Sequence, residues 1–272
     1  MSEHSQVQTG FATINDSKLY YEVAGEGPAL VLAHAGIADL RMWDDQFLAF
    51  AERYRVMRFD FRGFGRSTGA SDDFSLHQDL YDLLEFLDIS QAYLVGSSLG
   101  GRVLLDLALA YPEMAGALVV VGSGLSGYRF SGEVFTRFAE GVYEARQEGD
   151  LEREVELKLR LWVDGRARVP EQVDPGVRAH AREMLLGRPG RQGEGELPES
   201  PAIGRLHEIA TPTLILVGER DEANIATIAD LLEANIPGAQ KTVIPECAHL
   251  PNMENPALFN RLVLEFLGDL RA

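Results

Sequence analysis

Tyr93-Leu-Val-Gly-Ser-Ser-Leu-Gly-Gly101 decides how this chain is read, because it sets G-x-S-x-G between an apolar strand and the helical run Arg102 to Tyr111. A residue on so sharp a strand-to-helix turn sits in strained backbone geometry. Only small neighbours, here Gly96 and Gly100, let strand and helix approach each other. A serine there projects its hydroxyl into a cleft, and the helix N-terminus behind it offers an N–H and a favourable dipole to a developing oxyanion. Two serines compete for the position. Ser98 has glycines two residues away on both sides, whereas Ser97 is flanked at that distance by Val95 and Leu99. No G-K-S/T follows, which speaks against a phosphate-binding turn.

Outward from this turn, short runs rich in Val, Ile and Leu alternate with longer stretches of helical period. That is the pattern of an α/β chain with a mostly parallel sheet covered by helices on both faces. Eight strands are predicted, near Phe11 to Ile14, Lys18 to Val23, Ala29 to Ala33, Arg55 to Phe59, Ala92 to Val95, Ala117 to Val121, Thr213 to Val217 and Lys241 to Ile244. The first two pair as a hairpin across Asn15-Asp16, a turn-favouring pair. Leu76, Leu80, Leu83, Leu84 and Leu87 form the apolar stripe of a helix with Ser75 as its N-cap. A last helix runs from Pro256 to Leu270, with Phe259, Leu262, Val263, Phe266 and Leu267 towards the sheet.

Strand alternation stops after Val121, and the stretch from Leu125 to Leu206 reads as charged, aromatic-rich helices. The expected organisation is an α/β core of residues 1–124 and 207–272 with a helical cap inserted at 125–206. Gly187 to Pro201 is so rich in Gly, Pro and Glu that it reads as a mobile loop, since ordering it would bury little apolar surface.

A serine hydroxyl is a weak nucleophile at neutral pH and needs a base, with an acid to orient that base. Of the six histidines, His249 lies in Ile244-Pro-Glu-Cys-Ala-His-Leu-Pro251, between the last strand and the last helix, where a side chain reaches the carboxyl edge of the sheet. His4, His77, His180 and His207 read as surface or packing residues. His34 ends a strand at the same edge and reads as a residue that shapes the neighbouring loop. Leu214-Ile-Leu-Val-Gly-Glu-Arg-Asp221 delivers Asp221 just past a buried strand as the acid, with Glu219 and Glu222 as nearby rivals. The chain order Ser98, Asp221, His249 differs from the orders used by unrelated serine proteases.

The 272 residues and 46% hydrophobic content suffice for a large core and exclude disorder of the whole chain. With 42 acidic against 25 basic side chains, the formal charge is −17, and no Lys/Arg stripe is present to track a phosphate backbone. No nucleic-acid partner is expected. Without H-x-x-x-H or a paired Cys/His cluster, neither a metal nor another cofactor is expected. Met1 to Gly10 lacks a basic segment followed by an apolar run, and no stretch approaches the roughly 20 apolar residues of a membrane span. With a single cysteine, Cys247, the chain is expected in the cytoplasm and away from membranes, its oligomeric state open.

Leu32-Ala-His-Ala-Gly36, Asp60-Phe-Arg-Gly-Phe-Gly-Arg-Ser67, the Ser98 turn, the Asp221 turn and His249 together resemble the α/β-hydrolase superfamily, over essentially the whole chain apart from the cap. The resemblance implies that backbone N–H groups of Leu99 and Gly36 form an oxyanion hole. Ile37 is the alternative to Gly36, because Ala35 stands where the family usually has glycine. It gives Arg62 a structural role in the Asp60 to Ser67 turn.

Closer likeness is to small bacterial members: enol-lactone hydrolases, carbon–carbon bond hydrolases of aromatic breakdown and broad-range esterases, whose helical caps contact substrate. Leu161-Trp-Val-Asp-Gly165 resembles a cap segment of that group, and Trp162, Ile37 and Leu250 are the candidates for lining the substrate. Members that use an aspartate nucleophile, the dehalogenases and epoxide hydrolases, are disfavoured by Ser98. The resemblance implies a serine hydrolase acting on a small carboxylic ester or lactone. One alternative is cleavage of a carbon–carbon bond in a dioxo acid, with Arg102 the nearest cation for its carboxylate. The other is a ligand-binding receptor that keeps the triad and barely turns over.

Overall fold

In a computed structural model that describes residues 7–69, 74–187 and 201–270, the apolar runs become one eight-stranded sheet. Its strands are β1 (Gln8–Ile14), β2 (Ser17–Ala24), β3 (Ala29–Ala33), β4 (Arg55–Phe59), β5 (Ala92–Ser97), β6 (Ala115–Val121), β7 (Thr213–Gly218) and β8 (Gln240–Ile244). The spatial order is β1-β2-β4-β3-β5-β6-β7-β8, with β2 antiparallel to both β1 and β4 and every other pair parallel. The lead-in hairpin closes with Ile14 opposite Ser17, so Asn15-Asp16 is a two-residue turn, and Asn15 takes a φ of 52° that asparagine tolerates.

Burial follows position in the sheet. β7 is buried along its whole length, as a central parallel strand with helices on both faces must be, whereas β8 at the edge is largely open. Lys241 on that edge pairs with Asp230 and Glu233, a charged rim that discourages edge-to-edge association.

Helices α1 (Asp44–Ala51), α2 (Leu76–Phe86) and α3 (Leu99–Ala110) follow β3, β4 and β5. Between β6 and β7 lie α4 (Glu133–Glu148), α5 (Leu151–Lys158), which runs on into a π-helical turn at Leu159–Asp164, and α6 (Pro175–Leu186). Then come α7 (Ala223–Asn235) after β7, and the short α8 (Pro251–Glu254) and α9 (Pro256–Asp269) after β8. The stripe of α2 joins Val103 and Leu107 of α3 and Ile228 and Leu232 of α7 in one apolar layer. Phe47 and Phe50 of α1 and Phe259, Val263 and Leu267 of α9 join the layer on the other face.

Ser75 does stand at the N-cap of α2, but its hydroxyl meets the His77 ring at 2.7 Å and makes no capping bond to the backbone. The segment expected as a mobile loop lies outside the described residues from 188 to 200, as does His4. Among the described residues no helix is long and apolar enough to cross a membrane.

Candidate active site

The parallel strands β3, β5, β6, β7 and β8 lie side by side and end at one edge of the sheet, so the residues just beyond them converge there. Ser98 follows β5 and occupies the N-cap position of α3, yet its side chain makes no capping bond. Its φ of 53° is the left-handed region that a non-glycine residue enters only when the surroundings impose it. Those surroundings are tight. A Cβ on Gly100 would fall 2.2 Å from the Ala33 carbonyl oxygen, and one on Gly96 would fall 2.7 Å from the Gly100 backbone. The Ser98 N–H donates to the Val121 carbonyl at 2.8 Å, which ties the turn to the end of β6. Ser97 is fully buried, whereas Ser98 is half-buried and keeps a face open.

His249 and Asp221 meet at this edge. The imidazole Nδ1 lies 3.0 Å from each Asp221 carboxylate oxygen, and both side chains are essentially inaccessible to solvent. Oδ1 of Asp221 also accepts the Glu222 N–H at 2.7 Å, so the carboxylate is held from two sides. With Nδ1 committed to Asp221, Nε2 is the nitrogen left to accept a proton. The rivals do other work: Glu222 caps α7 by accepting the Asn224 N–H at 2.7 Å, and Glu219 accepts the Glu246 N–H at 3.0 Å.

Gly122, which the sequence reading did not single out, stands directly against the His–Asp pair. At φ 48°, a Cβ there would stand 3.0 Å from Asp221 Oδ2 and 3.1 Å from His249 Nδ1. It adjoins Val121, the hydrogen-bond partner of Ser98, so the serine turn and the His–Asp pair share this one contact region. The available signal was a glycine ending an unbroken apolar strand, in the same place as Gly218 at the end of β7.

The loop after β3 brings Gly36 against Leu99, its nearest atoms on that side being Leu99 Cβ and Cδ2. Among the described residues, neither the Leu99 N–H nor those of Gly36 and Ile37 reach a protein acceptor. The loop itself is pinned at both ends to the Asp60 to Ser67 turn. His34 Nε2 accepts the Phe61 N–H at 3.0 Å, which leaves Nδ1 to donate to the Ala35 carbonyl at 2.9 Å. Asp60 accepts the Leu40 N–H and the Arg66 N–H, both at 2.8 Å, and burial pushes its carboxyl up to about 7. Arg62 is fully buried and bidentate on Asp79 at 2.8 Å, the structural role expected of it.

Trp162, in the π-helical turn, packs its ring 4.5 Å from the His249 imidazole between centroids, and its carbonyl accepts the His249 N–H at 3.2 Å. Phe138 of α4 meets the indole edge-to-face, with centroids 6.0 Å apart. Phe138 also lines a recess of about 400 Å³ with Leu157, Leu161 and Ala223, an apolar space of the size that takes a small molecule. Ser98 and His249 do not themselves line it. Ile37 is nearly buried, and Leu250 has no exposed surface and lies in the apolar layer with Phe259. Arg102 is half-buried on the first turn of α3. No group of three or more His, Cys, Asp or Glu side chains that could hold a metal ion lies among the described residues.

The similarity to known proteins is consistent along the whole chain. It is 28% identical to the 2-hydroxy-6-oxononadienedioate/2-hydroxy-6-oxononatrienedioate hydrolase of Comamonas testosteroni, over 99% of this chain and all of that one. It superposes on the enol-lactonase of Burkholderia xenovorans LB400 with a TM-score of 0.81 at 25% identity, covering 95% of this chain and 100% of the other. A thermophilic esterase from Thermogutta terrifontis gives the same TM-score and identity, covering 97% and 100%. Residues 28–256 match the family model described as alpha/beta hydrolase fold, and with the sheet order, the serine turn and the His–Asp pair in view, the chain belongs to that family.

Proposed function

We propose that the chain is a serine hydrolase that cleaves a small carboxylic ester or lactone through an acyl-enzyme. The observation that carries this reading is the His249–Asp221 pair set against Gly122, next to the strand end that holds the strained, uncapped Ser98. His249 Nε2 takes the Ser98 proton, Ser98 Oγ attacks the carbonyl, and the Leu99 and Gly36 N–H groups receive the oxyanion. His249 protonates the leaving alkoxide, then activates the water that releases the acid. Asp221 holds the imidazole in the Nδ1–H tautomer and stabilises its charged form.

Cleavage of a carbon–carbon bond in a dioxo acid is the second reading, favoured by the similarity over 99% of the chain to a dioate hydrolase. The two separate in one assay. Short p-nitrophenyl esters and lactones are turned over by the wild type and not by Ser98→Ala, whose turnover falls at least 10³-fold. Turnover of a ring-fission dioxo acid with none of the esters or lactones assigns the chain to the second reading.

A further inference from the structure

The π-helical turn and the chain that leaves it touch the loops bearing Asp221 and His249 at several points. The Trp162 ring lies on the imidazole, and the Trp162 carbonyl takes the His249 backbone N–H. Gly165, at φ 70°, comes so close that a Cβ would fall 2.4 Å from the Arg220 carbonyl oxygen and 2.6 Å from Ala248 Cβ. The Arg166 N–H donates to that same Arg220 carbonyl at 2.7 Å. Arg168 then donates to the Glu246 carbonyl at 3.0 Å and pairs with Glu254 at 2.8 Å. Residues 162–168 therefore strap the β7–α7 and β8–α8 loops to one another from above. No other contact on this strap bears on a group of the proposed chemistry as directly as Trp162 does.

A π-turn is a means of placing such a contact. Widening the helix by one residue per turn shifts the side chains that follow it, and carbonyls near a helix end lack an intrahelical partner. The Trp162 carbonyl is one of these, and the His249 N–H satisfies it. An aromatic face beside an imidazole favours the imidazolium that forms whenever His249 takes a proton. Phe138 packs against the same indole edge-to-face.

We propose that Trp162 is a positioning residue for His249: the inserted helices, not only the sheet, hold the base in place. The proposal rests on the reading of Ser98, Asp221 and His249 as the reacting groups. It gives Trp162 an effect on turnover that a residue merely lining the substrate, or merely filling the seam, does not have. Displacing a reacting group by about 1 Å lowers turnover up to about 100-fold, and Trp162→Leu removes the aromatic face while keeping an apolar side chain. Trp162→Phe keeps a face of the same kind.

The test is steady-state kinetics on p-nitrophenyl butyrate for wild type, Trp162→Phe and Trp162→Leu, with thermal midpoints for each. Alongside it, one-dimensional proton NMR follows the downfield Nδ1–H signal of His249. The expected result is a kcat lowered ~10- to 100-fold in Trp162→Leu with KM changed less than about twofold, largely restored in Trp162→Phe. The Nδ1–H signal should stay sharp in the wild type and Trp162→Phe and broaden by exchange in Trp162→Leu. A rise in KM at unchanged kcat makes Trp162 a substrate wall and overturns the proposal. An equal fall in kcat in both variants, tracking their thermal midpoints, makes it packing and overturns it too. If the wild type hydrolyses no ester, the functional reading fails by itself, and the NMR signal alone then decides the placement of His249.

Discussion

The sheet and the helices inserted between β6 and β7 differ in how far charge adds to burial. β5, β6 and β7 bury nearly every side chain, and the layers against them are mostly Leu, Val, Ile, Ala and Phe. Helix α4 buries only Val142 and Ala145 of its 16 residues. Val155, Leu159, Val163, Ala181 and Met184 of the insertion do join the apolar layer of α1 and α9, but the insertion is also stitched by charge. Buried Glu154 joins Arg146 of α4 to Lys158 of α5, at 3.0 and 2.7 Å. Fully buried Asp164 joins Arg160 and Arg178, at 2.9 and 3.0 Å, and so ties the π-turn to α6. The contrast teaches a difference of degree: the sheet is held by burial almost alone, whereas the segment that covers His249 combines burial of Leu159 and Val163 with ion pairs at Asp164.

Paired truncations give the largest effect and break the comparison if it is wrong. Leu118→Ala, in the middle of β6, should lower stability by about 2–5 kcal/mol and loosen the whole sheet, because it leaves a cavity in a fully buried layer. Arg178→Ala should lower it by only about 1–3 kcal/mol, since Asp164 keeps Arg160. Hydrogen exchange distinguishes them. Arg178→Ala should speed exchange in Leu151–Lys158, Leu159–Asp164 and Pro175–Leu186 while β5 to β7 stay protected; uniform acceleration would show that the two regions are one cooperative unit.

A smaller effect sharpens the seam between the regions. Ser126 donates to Asp106 of α3 at 2.6 Å and accepts the Ala202 N–H at 2.7 Å, so both ends of the insertion meet on the helix that begins after Ser98. Burial pushes the Asp106 carboxyl up from 3.8 to about 6, against the opposing influence of the Ser126 hydroxyl and Arg102. Between those values the folded chain holds a proton that the unfolded chain releases. The stabilisation is therefore full below pH 3.8 and is lost as pH rises through about 6. Denaturant titrations from pH 4 to 7.5 should show this slope, at most about 1.4 kcal/mol per pH unit for one proton. Asp106→Asn should flatten it, and an unchanged slope would remove Asp106 from the account.

The division between regions also explains what the sequence revealed. All eight strands were legible to within a few residues, because each apolar run is short, β-rich and bounded by turn residues. Ser98, Asp221 and His249 were legible for the same reason: each follows a recognisable strand end. Gly122 was missed because a lone glycine after Val121 has meaning only when Asp221 and His249 are seen against it. The placing of Trp162 over His249 and the burial of Leu250 were not legible either. Asp164 of the π-turn is met by Arg178 of α6 across space, and no local period encodes such a meeting.

The central claim is that Ser98 is the nucleophile activated by His249. A fluorophosphonate probe reacts preferentially with a serine so activated, and peptide mass mapping locates the adduct. The account predicts one adduct, on Ser98, lost in Ser98→Ala and strongly slowed in His249→Ala. An adduct on another residue, or none on a folded wild-type chain, would contradict it.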